Sequence, residues 1–217
     1  MPSSAGFMRT TQVWLKLRWP TLEIRELVVL LLAVQLMANA KLFAVALGPR
    51  GFAAVCAGFA FVIYGGAVHG KRFAVRQALG WVSAPSRSWV GAVVVGCVLG
   101  ALVTTVTVAF GRSTQIAEPL YNQILAVTLA PIVEEIGLRG IMVPLLARVI
   151  GSPGAVIVIA GLFASLHWPA SVLKLGCIGA TGAAYGWIRV RSGSTPLATV
   201  AHTIYNFTLL LFGSVGC

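Results

Sequence analysis

At 217 residues, with 58% hydrophobic and only 10% charged side chains and a mean hydropathy of +0.92, the chain is far more apolar than a soluble domain of its length. Its net charge of +11 comes from sixteen Lys and Arg against five acidic residues. In a soluble protein that balance points to nucleic acid; here the basic residues cluster between apolar runs, as loops held at an anionic membrane surface do, and no nucleic-acid partner is expected. Cys56, Cys97, Cys177 and Cys217 show no CxxC spacing, which argues against a zinc cluster or a disulfide frame.

These features predict an all-α fold, a polytopic transmembrane helix bundle. Residues 1–25 read as a basic N-terminal tail carrying Arg9, Lys16 and Arg18, and 26–213 as a single membrane domain. Apolar runs suited to crossing roughly 30 Å of hydrocarbon lie at about 26–47, 51–69, 89–110, 122–148, 154–168, 172–190 and 195–213, giving about seven helices. The run starting near Leu27 is too long for a signal-peptide core and lacks a convincing cleavage site, so a retained first span is expected. Gly48, Pro49, Arg50 and Gly51 form a tight turn into the second. The loop 70–88 holds Lys71, Arg72, Arg76 and Arg87, and the positive-inside rule puts it and the N-terminus in the cytoplasm. Within 154–190, Pro169 interrupts the apolar pattern and Lys174 follows, so a short or re-entrant helix is the alternative there.

The few ionisable groups inside these runs are the informative ones. Glu134 and Glu135 stand side by side in ILAVTLAPIVEEIGLRGIMVPLL. A mid-membrane carboxylate costs at least about 2.5 kcal/mol, so two together mark a site. Adjacent helical residues diverge by about 100°, so the two carboxylates have different roles. Arg139, four residues after Glu135, lies on the same face and is expected to form a charge pair with it, which leaves Glu134 as the candidate base. An ion cluster that merely locks helices together is the bland alternative.

His167 follows Phe163 by one turn in GLFASLHWP, and taken alone it suits an interfacial position. His202 and Asn206 share one stripe of the last helix, a spacing that serves helix packing as well as chemistry. The remaining histidine, His69, sits at a span boundary beside the basic loop. Together, a carboxylate, two imidazoles and an amide donor supply what is needed to activate water and stabilise a tetrahedral oxyanion, the chemistry of peptide-bond hydrolysis.

Three motifs carry a family resemblance: Glu134-Glu135-Ile136-Gly137-Leu138-Arg139, Phe163-Ala164-Ser165-Leu166-His167 and His202-Thr203-Ile204-Tyr205-Asn206. In this order, on successive apolar segments, they resemble the Glu-Glu-x-x-x-Arg, Phe-x-x-x-His and His-x-x-x-Asn motifs of the CAAX-protease and bacteriocin-processing (CPBP) intramembrane proteases. The motif-bearing core is 122–213; the first 120 residues resemble the family only in being membrane helices. The resemblance implies an active site in a cavity within the bilayer. Glu134 and His167 would deprotonate the attacking water, Glu135 would support the site through Arg139, and His202 with Asn206 would form the oxyanion hole. Phe163 would shape the substrate pocket. The substrate would be a membrane-associated peptide or protein tail, and the chain looks like a bacterial member, hence an integral protein of the inner (cytoplasmic) membrane.

The chain lacks HExxH, and a metal-free glutamate-type protease is favoured over one with zinc held by Glu134, His167 and His202. Two other classes stand beside the protease. A small proton- or cation-coupled transporter would spread polar residues through the spans to both faces, but the early spans offer few besides Gln35, Asn39, Thr104, Thr105 and Thr107. A non-catalytic scaffold of the same fold would favour an altered Glu134 or His167, and neither is altered.

Overall fold

The computed structural model describes residues 79–110, 120–167 and 171–212, together with Gly48 and Gly51. Every regular element among them is helical. The expected tail and the spans at 26–47 and, Gly51 apart, 51–69, with His69 and the basic residues Lys71, Arg72 and Arg76, lie outside the described residues, as does the linker 111–119.

Helix α1 (Ser86–Ala109) starts just after Pro85. It alone among the described helices is long and apolar enough to cross a membrane by length and composition. Val90, Val94, Val98 and Leu102 form an exposed apolar face, while the buried edge is narrow and small-sided: Ala92, Gly96, Gly100 and Val103. That edge lets the backbone of α6 (Thr195–Leu211) come close. A Cβ at Gly96 would lie 2.5 Å from the Ala201 carbonyl, and one at Gly100 would lie 2.6 Å from Thr208 Cβ. The pairing of 96 with 201 and 100 with 208 makes α1 and α6 parallel.

The run expected as one span at 122–148 is built in pieces. Helix α2 (Leu120–Val127) ends at Thr128, and α3 (Leu129–Glu135) follows. Pro131 explains the break, because it has no N–H to bond the Val127 carbonyl one turn back. After Glu135 the chain widens into a π segment (Ile136–Met142), in which the N–H of Val143 bonds the Leu138 carbonyl five residues back. Helix α4 (Val143–Leu166) turns sharply at Gly151, whose φ of 75° and ψ of 162° leave the helical region, and Pro153 opens the next stretch. The boundary expected between spans at 148 and 154 is this turn.

Helix α5 (Val172–Ser192) is capped at its start by the Ser171 side chain, which accepts from the Lys174 N–H at 3.3 Å. It ends at Gly193 in the left-handed conformation, with Arg189 and Arg191 in its last turn, where cations suit the helix dipole. Helices α4 and α5 pack antiparallel along glycines, with Gly179 against Ala164, Gly182 against Phe163 and Ala160, and Gly186 against Val156.

The segment before α1 straps the lower end of this bundle. Leu79, Gly80 and Val82 offer their carbonyls to the Thr195 hydroxyl, the Thr195 N–H and the Ser194 hydroxyl. Two apolar clusters result. One joins α1, α5 and α6 around Ala92, Tyr185, Leu197 and Ala201; the other joins the π segment, α4 and α5 around Leu138, Val156, Ile159 and Phe163. The buried Glu135–Arg139 pair lies where the two meet, with Arg139 against Phe163 of one and Tyr185 of the other.

Candidate active site

Glu135 ends α3 and Arg139 sits in the π segment, and both side chains are completely buried. Arg139 Nη1 donates to Glu135 Oε1 at 3.0 Å, the i,i+4 pair that the spacing predicts. The second arm of the guanidinium, Nη2, donates to the Gly182 carbonyl of α5 at 2.8 Å. Its planar face lies 4.6 Å from the Phe163 ring centre and 5.5 Å from that of Tyr185, so aromatic faces and fixed acceptors replace the water around this cation. Gly182 is needed at this contact: a Cβ there would fall 2.8 Å from the Phe163 ring and 3.2 Å from Arg139 Nη2.

His202 completes the chain of bonds from α6. Its Nδ1 lies 3.0 Å from the same Glu135 oxygen. An ionised carboxylate only accepts, so Nδ1 carries the proton and a neutral His202 presents Nε2 as an acceptor nitrogen. His167 is set in the same sense: its Nδ1 lies 2.8 Å from the Phe163 carbonyl, which also only accepts, so Nε2 is again the basic nitrogen. Phe163 brings the two imidazoles into one neighbourhood, its ring centre 4.5 Å from that of His167 and 5.6 Å from that of His202.

The site residues separate by depth. Glu135, Arg139, Phe163 and His202 are buried, whereas Glu134, His167 and Asn206 are half-buried. The adjacent glutamates differ in burial, Glu135 being sealed in the ion pair and Glu134 half-buried. Asn206 is placed differently from the rest. Its Nδ2 donates at 2.8 Å to the Ala126 carbonyl, which ties α6 to α2 and leaves one amide hydrogen for another acceptor.

Glu134, His167 and His202, the set considered for zinc, do not form a cluster of three ligands, and no such cluster of His, Cys, Asp or Glu occurs among the described residues. The two imidazoles have the ligand tautomer, but the donor positions in this conformation do not converge on one ion, and no metal enters the steps below.

Two residues of the cluster are not in the motifs. Gly182 supplies the carbonyl that holds Arg139, and Tyr185, fully buried one turn later, stacks on His202 with ring centres 4.8 Å apart and planes 20° apart. A tyrosine three residues after a glycine in the small-sided run GATGAAYGW was the available signal.

Residues 116–208 match the family model for type II CAAX prenyl endopeptidase Rce1-like proteins. No curated protein and no solved structure gives a significant match to the chain. The matched stretch runs from just before α2 nearly to the end of α6 and contains all three motifs. Over that stretch, the chain is similar to the Rce1-like CAAX endopeptidases.

Proposed function

We propose that the protein is an intramembrane endopeptidase that hydrolyses a peptide bond in a membrane-associated peptide or protein tail, using water activated by Glu134 and His167. The observation that carries this is the buried chain Gly182–Arg139–Glu135–His202, with hydrogen bonds of 2.8, 3.0 and 3.0 Å, set beside a second glutamate that is only half-buried. A purely structural ion pair needs no neighbouring carboxylate. Arg139 and His202 both bond Oε1 of Glu135, whose buried Oε2 has no hydrogen-bond partner among the described residues, and the adjacent half-buried Glu134 is the carboxylate assigned to proton transfer.

In this scheme Glu134 and the basic Nε2 of His167 take the proton as water attacks the scissile carbonyl. The developing oxyanion requires donors. Asn206 supplies the amide hydrogen not used on Ala126. His202 supplies Nε2–H once it has taken a second proton from solvent, Glu135 stabilises that imidazolium at Nδ1, and the proton taken from water passes from Glu134 to the leaving amine as the C–N bond breaks. The charges then balance: Glu135 against Arg139, and the imidazolium against the oxyanion.

The family acts on prenylated tails of membrane-associated proteins, and a lipidated C-terminal tail is the substrate class proposed for this chain. The exposed valines and leucine of α1 suit a lipid environment, and the protein is read as an inner-membrane bundle with its N-terminus in the cytoplasm. The test compares small membrane-protein and peptide termini, by mass spectrometry, in membranes holding matched amounts of wild-type or Glu134→Gln protein. Termini produced only by the wild type support proteolysis and name the substrate. Identical termini, with a change in ion flux through reconstituted vesicles, would replace the protease by a transporter.

A further inference from the structure

The bond to Glu135 holds His202 at one point, Nδ1, and one hydrogen bond leaves the imidazole plane able to tilt about that contact. Tyr185 removes this freedom. Its ring lies parallel to the imidazole at 4.8 Å, while Phe163 stands edge-on at 87° and Tyr205 tilts at 55° with its centre 6.5 Å away. Tyr185 is itself immobilised, with no exposed surface and with Phe163 and Tyr205 against it at 6.5 and 6.3 Å. Its hydroxyl is buried and has no hydrogen-bond partner among the described residues, so phenylalanine would fill the same place without an unmet polar group. The aromatic face is thus the part of the side chain that acts on the site.

We propose that Tyr185 is a positioning residue that fixes the plane of the His202 imidazole and so aims Nε2 at the reacting carbonyl. The proposal rests on the protease reading, in which His202 faces the substrate. It requires a flat ring at position 185, not a hydroxyl.

The test uses full-length protein in detergent or liposomes, with Tyr185→Phe, Tyr185→Leu and Tyr185→Met, the last offering an unbranched filling should leucine fail to fold. Two readouts are taken: steady-state cleavage of a tail peptide, and the nitrogen-15 spectrum of histidine-labelled protein, with the His202 signals identified by their loss in His202→Asn. Phenylalanine is expected to keep kcat within about twofold and to keep the His202 pattern of a protonated Nδ1 and a bare Nε2. Leucine and methionine are expected to lower kcat by about ten- to a hundredfold at nearly constant KM, since a small misplacement of a reacting group has effects of that size. Their His202 nitrogens should shift toward a mixture of tautomers.

Unchanged kcat and His202 signals in the leucine and methionine variants would overturn the proposal. So would a Tyr185→Phe variant as impaired as Tyr185→Leu, because the hydroxyl would then be the active part. Wild-type protein that cleaves nothing would sink the protease reading instead, and the nitrogen spectrum alone would then decide whether Tyr185 orients His202.

Discussion

Replacing Arg139 by methionine removes a fully buried cation that donates to Glu135 and Gly182 and packs against Phe163. Glu135 is then left as a buried carboxylate whose remaining donor is His202. Removing one partner of a buried pair costs about 3–5 kcal/mol, and the lost cation–π contact, about 1–2 kcal/mol when desolvated, overlaps with that figure and is not added to it. At about 2–4 °C per kcal/mol for a chain of this size, the apparent melting temperature should fall by about 6–20 °C. Intrinsic tryptophan fluorescence during heating in one fixed detergent measures it. The double variant Glu135→Gln with Arg139→Met carries neither charge, and should recover most of the lost melting temperature while remaining inactive. Wild-type melting of Arg139→Met, or a double variant less stable than the single one, would refute the view that the pair is a closed electrostatic unit.

Three further outcomes are expected. Gly182→Ala forces a methyl group against Phe163 and Arg139 and should destabilise by about 1–3 kcal/mol with a parallel loss of cleavage. Gly176→Ala, whose Cβ meets nothing within 4 Å, should melt at or slightly above the wild type, and a difference scan of the two variants checks both. For metal removal, cleavage by purified protein should be unaffected by EDTA or by added zinc; loss on chelation with recovery on zinc would assign Glu134, His167 and His202 to an ion instead.

Where contacts are local, the sequence was a good guide. The Glu135–Arg139 bond and the Phe163–His167 ring contact both join residues four apart, and helical spacing alone anticipates them. The turn at Gly151 fell where an apolar run was interrupted by Gly151, Ser152 and Pro153. Contacts between distant residues left no such trace. Arg139 finds its second acceptor 43 residues away in Gly182, and His202 reaches Glu135 across 67 residues. Shared spacing placed His202 and Asn206 on one stripe but not on one partner: they bond Glu135 and Ala126. The π segment was hidden for a different reason, since a shift from four-residue to five-residue bonding leaves the apolar composition of Ile136–Met142 unchanged.

The most direct measurement is single-turnover cleavage, by purified protein in liposomes, of a tail peptide defined by the termini comparison, with wild type and Glu134→Gln at matched folded concentration. Glutamine keeps the shape of a half-buried side chain and removes its basicity, so the melting temperature should stay near that of the wild type while cleavage falls by about a hundredfold or more. Wild-type turnover by folded Glu134→Gln would contradict Glu134 as the base that activates water.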